Sequence, residues 1–288
     1  MDLIKCQALL QAVSSGSLSL AADKLGYTPS GIARMINALE AEIGFPLLIR
    51  SSQGVSLTEN GSEILPMLRE IVHWNEQIQQ KSAALRGLAT GHLTIGTYYS
   101  IAACWLPQII RNFQSAWPGI QIDLCEGGNI ALTKQLDEHE LDCCFFSEYD
   151  GHGDWISLQR DELVAWLPAE HPLAQAASFP LQALNDTPFI QPLPGQNTDL
   201  ERMLAANGLK PQIRFTTSDN YTAYSMVAAG LGISLNNALM TRDWHGPVAT
   251  LPFDPPQYIT LGIAVPSLAQ ASPALKKFIA CAKSSISC

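Results

Sequence analysis

Between Ser17 and Arg50 two short helical patterns meet across Gly26-Tyr27, and the second opens with Thr28-Pro29-Ser30. Leu18 to Leu25 forms the first, with Ser17 placed to cap it and Gly26 supplying the left-handed residue that ends it. In the second, Pro29 takes the first helical position, Ile32, Ile36, Leu39 and Ile43 share one apolar face, and Gly44 stops the run. Before both, Leu3 to Val13 recurs at helical spacing until Ser14-Ser15-Gly16 breaks it. Three short helices joined by a tight turn read as a helix-turn-helix, so duplex DNA is the partner this end implies.

The next stretch, FPLLIRSSQGVSLT, alternates around a Ser-Gln-Gly turn and predicts a two-stranded wing closed at Gln53-Gly54. Thr58 and Gly61 then open a long helical pattern through Ile64, Leu65, Leu68, Ile71, Val72, Ile78 and Leu85, interrupted at Pro66 and ending near Gly87 to Gly91. At about 1.5 Å per residue it spans roughly 42 Å, and its apolar stripe is long enough to pair with a second copy.

After Gly91 the texture changes. Expected strands at His92–Gly96, Ile120–Glu126 and Leu141–Phe146 alternate with helices at Ile101–Trp117 and Ile130–His139, as in a parallel sheet wrapped by helices. A second α/β run follows: strands Leu163–Pro168, Phe189–Gln191, Arg214–Thr217 and Gly232–Leu235, with helices Leu200–Asn207 and Tyr221–Ala229. A strand at Tyr258–Val265 and a helix at Pro273–Ser285 close the chain.

The 288 residues suit two or three packed units, and 47% hydrophobic content supplies each with a core. A net charge of −9 is awkward for a DNA binder until it is divided by region. Residues 1–90 carry seven Lys or Arg against eight Asp or Glu, so the acidity sits in the remainder. No signal peptide or apolar run of about 18 residues is evident, which places the chain in the cytoplasm. Seven cysteines without CxxC spacing argue against a disulfide framework and a thiolate zinc site, leaving reduced thiols. Cys143 and Cys144, adjacent on an expected strand, point to opposite faces, and one of them fills the core.

Ser17, Ala21-Ala22, Leu25, Ile32, Arg34, Ile36, Leu39-Glu40, Gly44, Pro46-Leu47, Arg50, Gly54-Val55, Leu57-Thr58 and Gly61 follow, in order and spacing, the signature of the LysR-type transcriptional regulators. Ile95-Gly96, Leu106-Pro107, Phe113, Pro118, Leu141-Asp142 and the run from Val227 to Ile233 are weaker echoes. The resemblance covers nearly the whole chain. It implies an α/β protein with an N-terminal winged helix-turn-helix (1–58), a linker helix and hinge (59–91), and a two-lobed, periplasmic-binding-protein-like effector domain (92–288). Lobe 1 would take 92–160 and 266–288, lobe 2 161–265. It also implies a homodimer through the linker helix, a homotetramer that bends DNA, and a small-molecule effector between the lobes.

If Ile32 and Ile36 face inward, Thr28, Pro29, Ser30, Gly31 and Arg34 stand at the helix end that enters the major groove. Thr28 and Ser30 can donate to phosphate, Arg34 can clamp a guanine edge or a phosphate, and Arg50 with Ser52 in the wing can contact backbone. The plain alternative is that Thr28 only caps and Arg34 is solvated. Two positions depart from the family pattern: Pro29 replaces the usual Gln and Ala33 a second Ser. With a wing poor in basic residues, they imply weaker phosphate contact and an altered base preference.

In the effector domain, Thr97, Tyr98, Tyr99 and Ser100 end a strand just before a helix, where amides and hydroxyls can converge on an anion. Gly128 and Asn129, Ser147 and Glu148, Gln191, and Ser218, Asn220 and Thr222 are the other facing edges, with Asn236-Asn237 beyond them. The effector would be anionic or polar, with a flat or ring-like portion. The alternative is that Thr97 and Ser100 only cap a helix and Tyr98 packs. GxSxG, P-loop and GxGxxG are absent, Asp137 to Glu140 lack the convergence of HExxH, and no enzyme, cofactor or metal is expected. The other readings of the chain are a solute-binding protein without DNA function, or a small-molecule enzyme on a two-lobed fold.

Overall fold

A computed structural model describes residues 1–86, 90–147 and 153–286. The chain divides into two compact units, broadly residues 1–88 and the remainder.

The first unit is built from α1 (Leu3–Ser15), α2 (Leu18–Leu25), α3 (Pro29–Ile43), β1 (Leu48–Ser51), β2 (Gly54–Leu57) and α4 (Glu59–Leu85). Asp2, Ser17 and Thr28 cap the three short helices at their starts, and Gly16, Gly26 and Gly44 end them in the left-handed region. Leu9, Ala12, Ala21, Ala22, Ile32, Ile36 and Leu39 form one core with Leu47, Leu65 and Leu68. The antiparallel β1–β2 hairpin is stitched to the helices by backbone: Val55 N–H donates to the Gly16 carbonyl, and Thr58 N–H to that of Leu47. A Cβ on Gly54 would lie 2.4 Å from the Gly16 oxygen, and one on Gly61 2.2 Å from the Leu47 oxygen. Only glycine permits these approaches.

Pro66 does not interrupt α4, which is continuous for 27 residues and, at about 1.5 Å per residue, some 40 Å long. Its apolar residues split into two stripes instead of one. Leu65 and Leu68 enter the helix-turn-helix core, whereas Met67, Ile71, Trp74 and Ile78 are exposed at the alternating four- and three-residue steps of a coiled-coil seam, with exposed Leu85 one heptad beyond Ile78.

The second unit comprises β3 (Gly91–Thr97), α5 (Tyr99–Cys104), α6 (Leu106–Ala116), β4 (Ile120–Glu126), α7 (Asn129–Asp137), β5 (Cys143–Ser147) and β6 (Asp154–Pro168). It continues with β7 (Phe179–Pro180), β8 (Pro188–Pro192), α8 (Asp199–Ala206), β9 (Gln212–Thr217), α9 (Asn220–Ala228), β10 (Ser234–Asn237), β11 (Val248–Val265) and α10 (Pro273–Ile286). The main sheet runs β10-β6-β11-β5-β3-β4, and parallel β8-β9 joins it through a bridge from Phe189 to Ile233. β6 and β11 are far longer than the alternation suggests. They pair antiparallel from Asp154–Val265 to Pro168–Val248, so both lobes hang on the same two strands.

In the first lobe α6 and α10 cover one sheet face through Phe113, Phe145, Phe278 and Ile95, while α7 covers the other through Leu132, Leu136 and Phe146. Cys143 faces the first of these cores and Cys144 the second, and both are fully buried, so both fill cores. The single helix expected over Ile101–Trp117 is two, meeting at Trp105. Pro107 has no N–H to donate and tolerates only the first turn of a helix, so a new helix begins at Leu106. In the second lobe Trp166, Ala223, Tyr224 and Val227 pack one face, and Leu163, Phe179, Phe189 and Leu204 the other.

Candidate functional site

The first unit presents one end of α3. With Ile32, Ile36 and Leu39 fully buried, Thr28, Pro29, Ser30 and Arg34 are left exposed and Gly31 half-exposed. The Thr28 hydroxyl accepts from Gly31 N–H at 3.1 Å and lies 3.2 Å from that of Ser30, so Thr28 caps the helix from an exposed position. Arg34 stands exposed on α3; Arg50, on β1, donates to Asn37 Oδ1 at 2.5 Å and is 3.9 Å from Glu40. Ser52 is exposed at the wing tip. Glu40 turns inward and accepts Leu47 and Leu48 N–H at 2.7 and 3.0 Å, anchoring the wing to α3.

The second unit contains a cleft of about 340 Å³ between its lobes. Tyr98, Tyr99, Ser100, Glu126, Gly128 and Asn129 line one wall; Thr198, Asp199, Ser218, Asp219, Asn220, Tyr221, Asn236 and Asn237 are among those lining the other. α5, α7, α8 and α9 all begin there, because each follows the carboxyl end of a strand or its loop.

Several sequence-predicted residues support the cleft without lining it. Thr97 is fully buried, and its hydroxyl donates to the Tyr98 carbonyl. Ser147 sits behind Tyr98, with its hydroxyl 3.2 Å from the phenol and receiving Arg202 at 2.6 Å. Gln191 donates to Glu201 Oε1, and Thr222 bonds Asp219 through both amide and hydroxyl. Glu148 lies outside the described residues.

Burial, with Asp199 nearby, pushes the Tyr98 phenol well above its usual range, so it remains a neutral donor. Burial also raises the Asp199 carboxyl against the opposing pull of Arg202, whereas Asp219 is held below its usual range by the Thr222 hydroxyl and amide. Ser100 and Asn129 are 1% and 3% exposed, and Ser100 Oγ and Asn129 Oδ1 have no hydrogen-bond partner among the described residues.

Glu126, Thr198, Asp199 and Arg202 were not singled out from sequence. Thr198 and Glu201 had a legible signal, since Thr-x-x-Glu before an apolar run is a capping box, and that box is formed. Glu126 carries no local signal: it is a strand-end carboxylate whose place depends on how the lobes face.

A winged helix-turn-helix with a free reading end and a two-lobed domain with a polar cleft together define a ligand-responsive DNA-binding regulator. Residues 3–62 match the bacterial regulatory helix-turn-helix proteins of the lysR family, and residues 86–287 match the LysR substrate binding domain. The chain belongs to the LysR family of transcriptional regulators. It is 29% identical over 286 residues to the uncharacterized HTH-type transcriptional regulator YvbU of Bacillus subtilis (strain 168), covering 98% of each chain. The HTH-type transcriptional regulator TtuA of Agrobacterium vitis is 28% identical over 82% of this chain and 80% of its own. Among solved structures, full-length OxyR C199D of Pseudomonas aeruginosa shares the fold with a TM-score of 0.76 at 22% identity, covering 99% of this chain and 94% of that one. Full-length CbnR, complexed with its target DNA, gives 0.67 at 18% identity, covering 99% of this chain and all of the other.

Proposed function

We propose that this regulator reads its operator with Thr28, Pro29, Ser30, Gly31 and Arg34 of the recognition helix and holds the DNA backbone with Arg50 and Ser52. The observation that carries the reading is the exposure of that helix end while Ile32, Ile36 and Leu39 on the same helix are buried. A helix start offers amides and a favourable dipole to phosphate, and an exposed Arg can reach a base edge. Residues 1–58 form the DNA-binding domain, 59–91 the linker and hinge, and 92–288 the effector domain, with lobes of 92–160 plus 266–288 and of 161–265.

Two chains pair through the exposed seam of α4, Met67, Ile71, Trp74, Ile78 and Leu85, and two pairs form a tetramer on bent DNA. The protein works in the cytoplasm and is not an enzyme. Its effector occupies the interlobe cleft and acts by binding two arrangements with different affinity, since equal affinity shifts nothing.

Gel shifts on the DNA flanking the gene test the reading. Retention of that DNA over random duplex at moderate salt is expected, with the preference weakened by Arg34→Ala. Equal retention of both duplexes overturns it.

A further inference from the structure

Among the described residues, the cleft is lined by the carboxylates Glu126, Asp199 and Asp219 and by no Lys, Arg or His. Arg202 and two of the four helix starts around it are already engaged, whereas the start of α5 carries no side-chain cap. Arg202 bonds Asp199, the Ser147 hydroxyl and the Asn197 carbonyl. The start of α8 is closed by Thr198 and Glu201, and that of α9 by Asp219. Arg202 therefore balances Asp199 alone. A ligand carboxylate or phosphate would leave water to face Glu126 and Asp219 with no cationic side chain among the described lining residues to meet it.

What the cleft leaves open suits the opposite charge. The Asn129 amide nitrogen donates to the Asn197 carbonyl at 2.5 Å, which orients the side chain so that its oxygen is the unpartnered, buried acceptor. Buried Ser100 Oγ is a second group without a partner. At the cleft, Tyr99 from one lobe and Tyr221 from the other both pack on Trp244, with ring centroids 6.1 and 5.3 Å apart, and both tyrosines remain substantially exposed. Aromatic faces beside carboxylates are where an organic cation gains both Coulomb and quadrupole attraction.

We infer that the cleft binds a small organic ammonium compound without a carboxylate, held between Glu126 and Asp219 and against the rings of Tyr99 and Tyr221. The inference rests on the cleft being the effector site. A volume of about 340 Å³ is at the small end for such sites, which favours a compact amine. Because Glu126 and Asp219 stand on opposite lobes, a cation between them draws the lobes together, the differential contact that an effector requires.

The test is thermal shift and calorimetric titration of the full-length protein with 2-phenylethylamine and 1,4-diaminobutane, against the acids phenylacetate and succinate at equal concentration. At least one amine is expected to raise the melting temperature and neither acid to do so. Glu126→Gln and Asp219→Asn should each weaken the amine about tenfold, and Asn still caps α9. Tyr221→Leu should weaken it roughly two- to fivefold while Tyr221→Phe restores it, the range of an exposed cation–π contact. Stabilisation by an acid, or by none of the four probes, overturns the inference. Ser218→Trp, at the exposed rim, separates the two readings. Acid binding lost in that variant keeps the cleft as effector site and removes the charge assignment; amine binding that persists in it removes the cleft itself.

Discussion

Glu40 of the recognition helix accepts the backbone N–H of Leu47 at 2.7 Å, and its same oxygen accepts that of Leu48 at 3.0 Å. The wing's first strand is thereby hung from the helix that reads DNA. Glu40→Ala leaves both donors without that acceptor, at about 1–3 kcal/mol for each one that stays unsatisfied, so a loss of about 2–6 kcal/mol is expected. Urea unfolding of the full chain measures it, and Glu40→Gln, which keeps one acceptor oxygen, should lose less.

Arg34 and Arg50 should separate DNA contact from stability. Arg34→Ala is expected to leave unfolding within about 0.5 kcal/mol of the parent, as for surface positions, while lowering operator affinity and the salt slope of binding by about one. Arg50→Ala should reduce affinity and also loosen the wing, because Arg50 holds Asn37. Fluorescence anisotropy over a salt series distinguishes them; an unchanged slope for Arg34→Ala would remove that residue from the phosphate contacts, and an unchanged operator preference would remove it from the base contacts.

The two stripes of α4 predict different losses. Ile78→Lys, in the exposed seam, should give folded monomers in sedimentation velocity. Leu68→Ala, in the helix-turn-helix core, should cost about 2–5 kcal/mol while leaving the seam in place. If Ile78→Lys remains dimeric, the seam is not the interface.

His171 should make the second lobe acid-sensitive. Its Nδ1 accepts Leu173 N–H at 3.2 Å, a bond only the unprotonated nitrogen can accept, and burial holds its pKa below the ordinary 6.5. The unfolded chain thus binds the proton more readily, so this contribution is fully present above about pH 6.5 and is lost as pH falls through that value toward the depressed native one. Thermal melts at pH 7.5 and about pH 5.5 should differ less in His171→Gln than in the parent.

Cys143 and Cys144 should resist alkylation in the native state. Burial pushes both thiols well above their usual range, and each lies in its own core. Mass spectrometry after iodoacetamide is expected to find half-buried Cys125 modified before either of them.

Helix starts and stops were legible because they are local. Ser17, Thr28 and the glycines at 16, 26 and 44 act on their own turn of chain. The break at Trp105 was equally local and was missed because Pro107 was read as lying inside a helix when it starts one. The length of β6 and β11 was not legible, since a strand shared by two lobes alternates differently in each half and pairs across about a hundred residues. Thr97 shows the same limit within the site: its place at a strand end suggested a ligand, but packing turned its hydroxyl onto the Tyr98 carbonyl.

By itself the sequence determined the helices of the first unit, the buried face of α3, the glycines under the wing and the family signature, because helical period, capping and the left-handed turn depend on neighbours in the chain. Tertiary structure alone decided which half of α4's apolar surface stays free, and which polar groups at the strand ends face the cleft. It also decided that Arg202 is spent on Asp199 and that Asp219 accepts an amide at the start of α9. Those outcomes turn on pairing and burial between residues far apart in sequence, and a charge's partner cannot be read until the fold has chosen it.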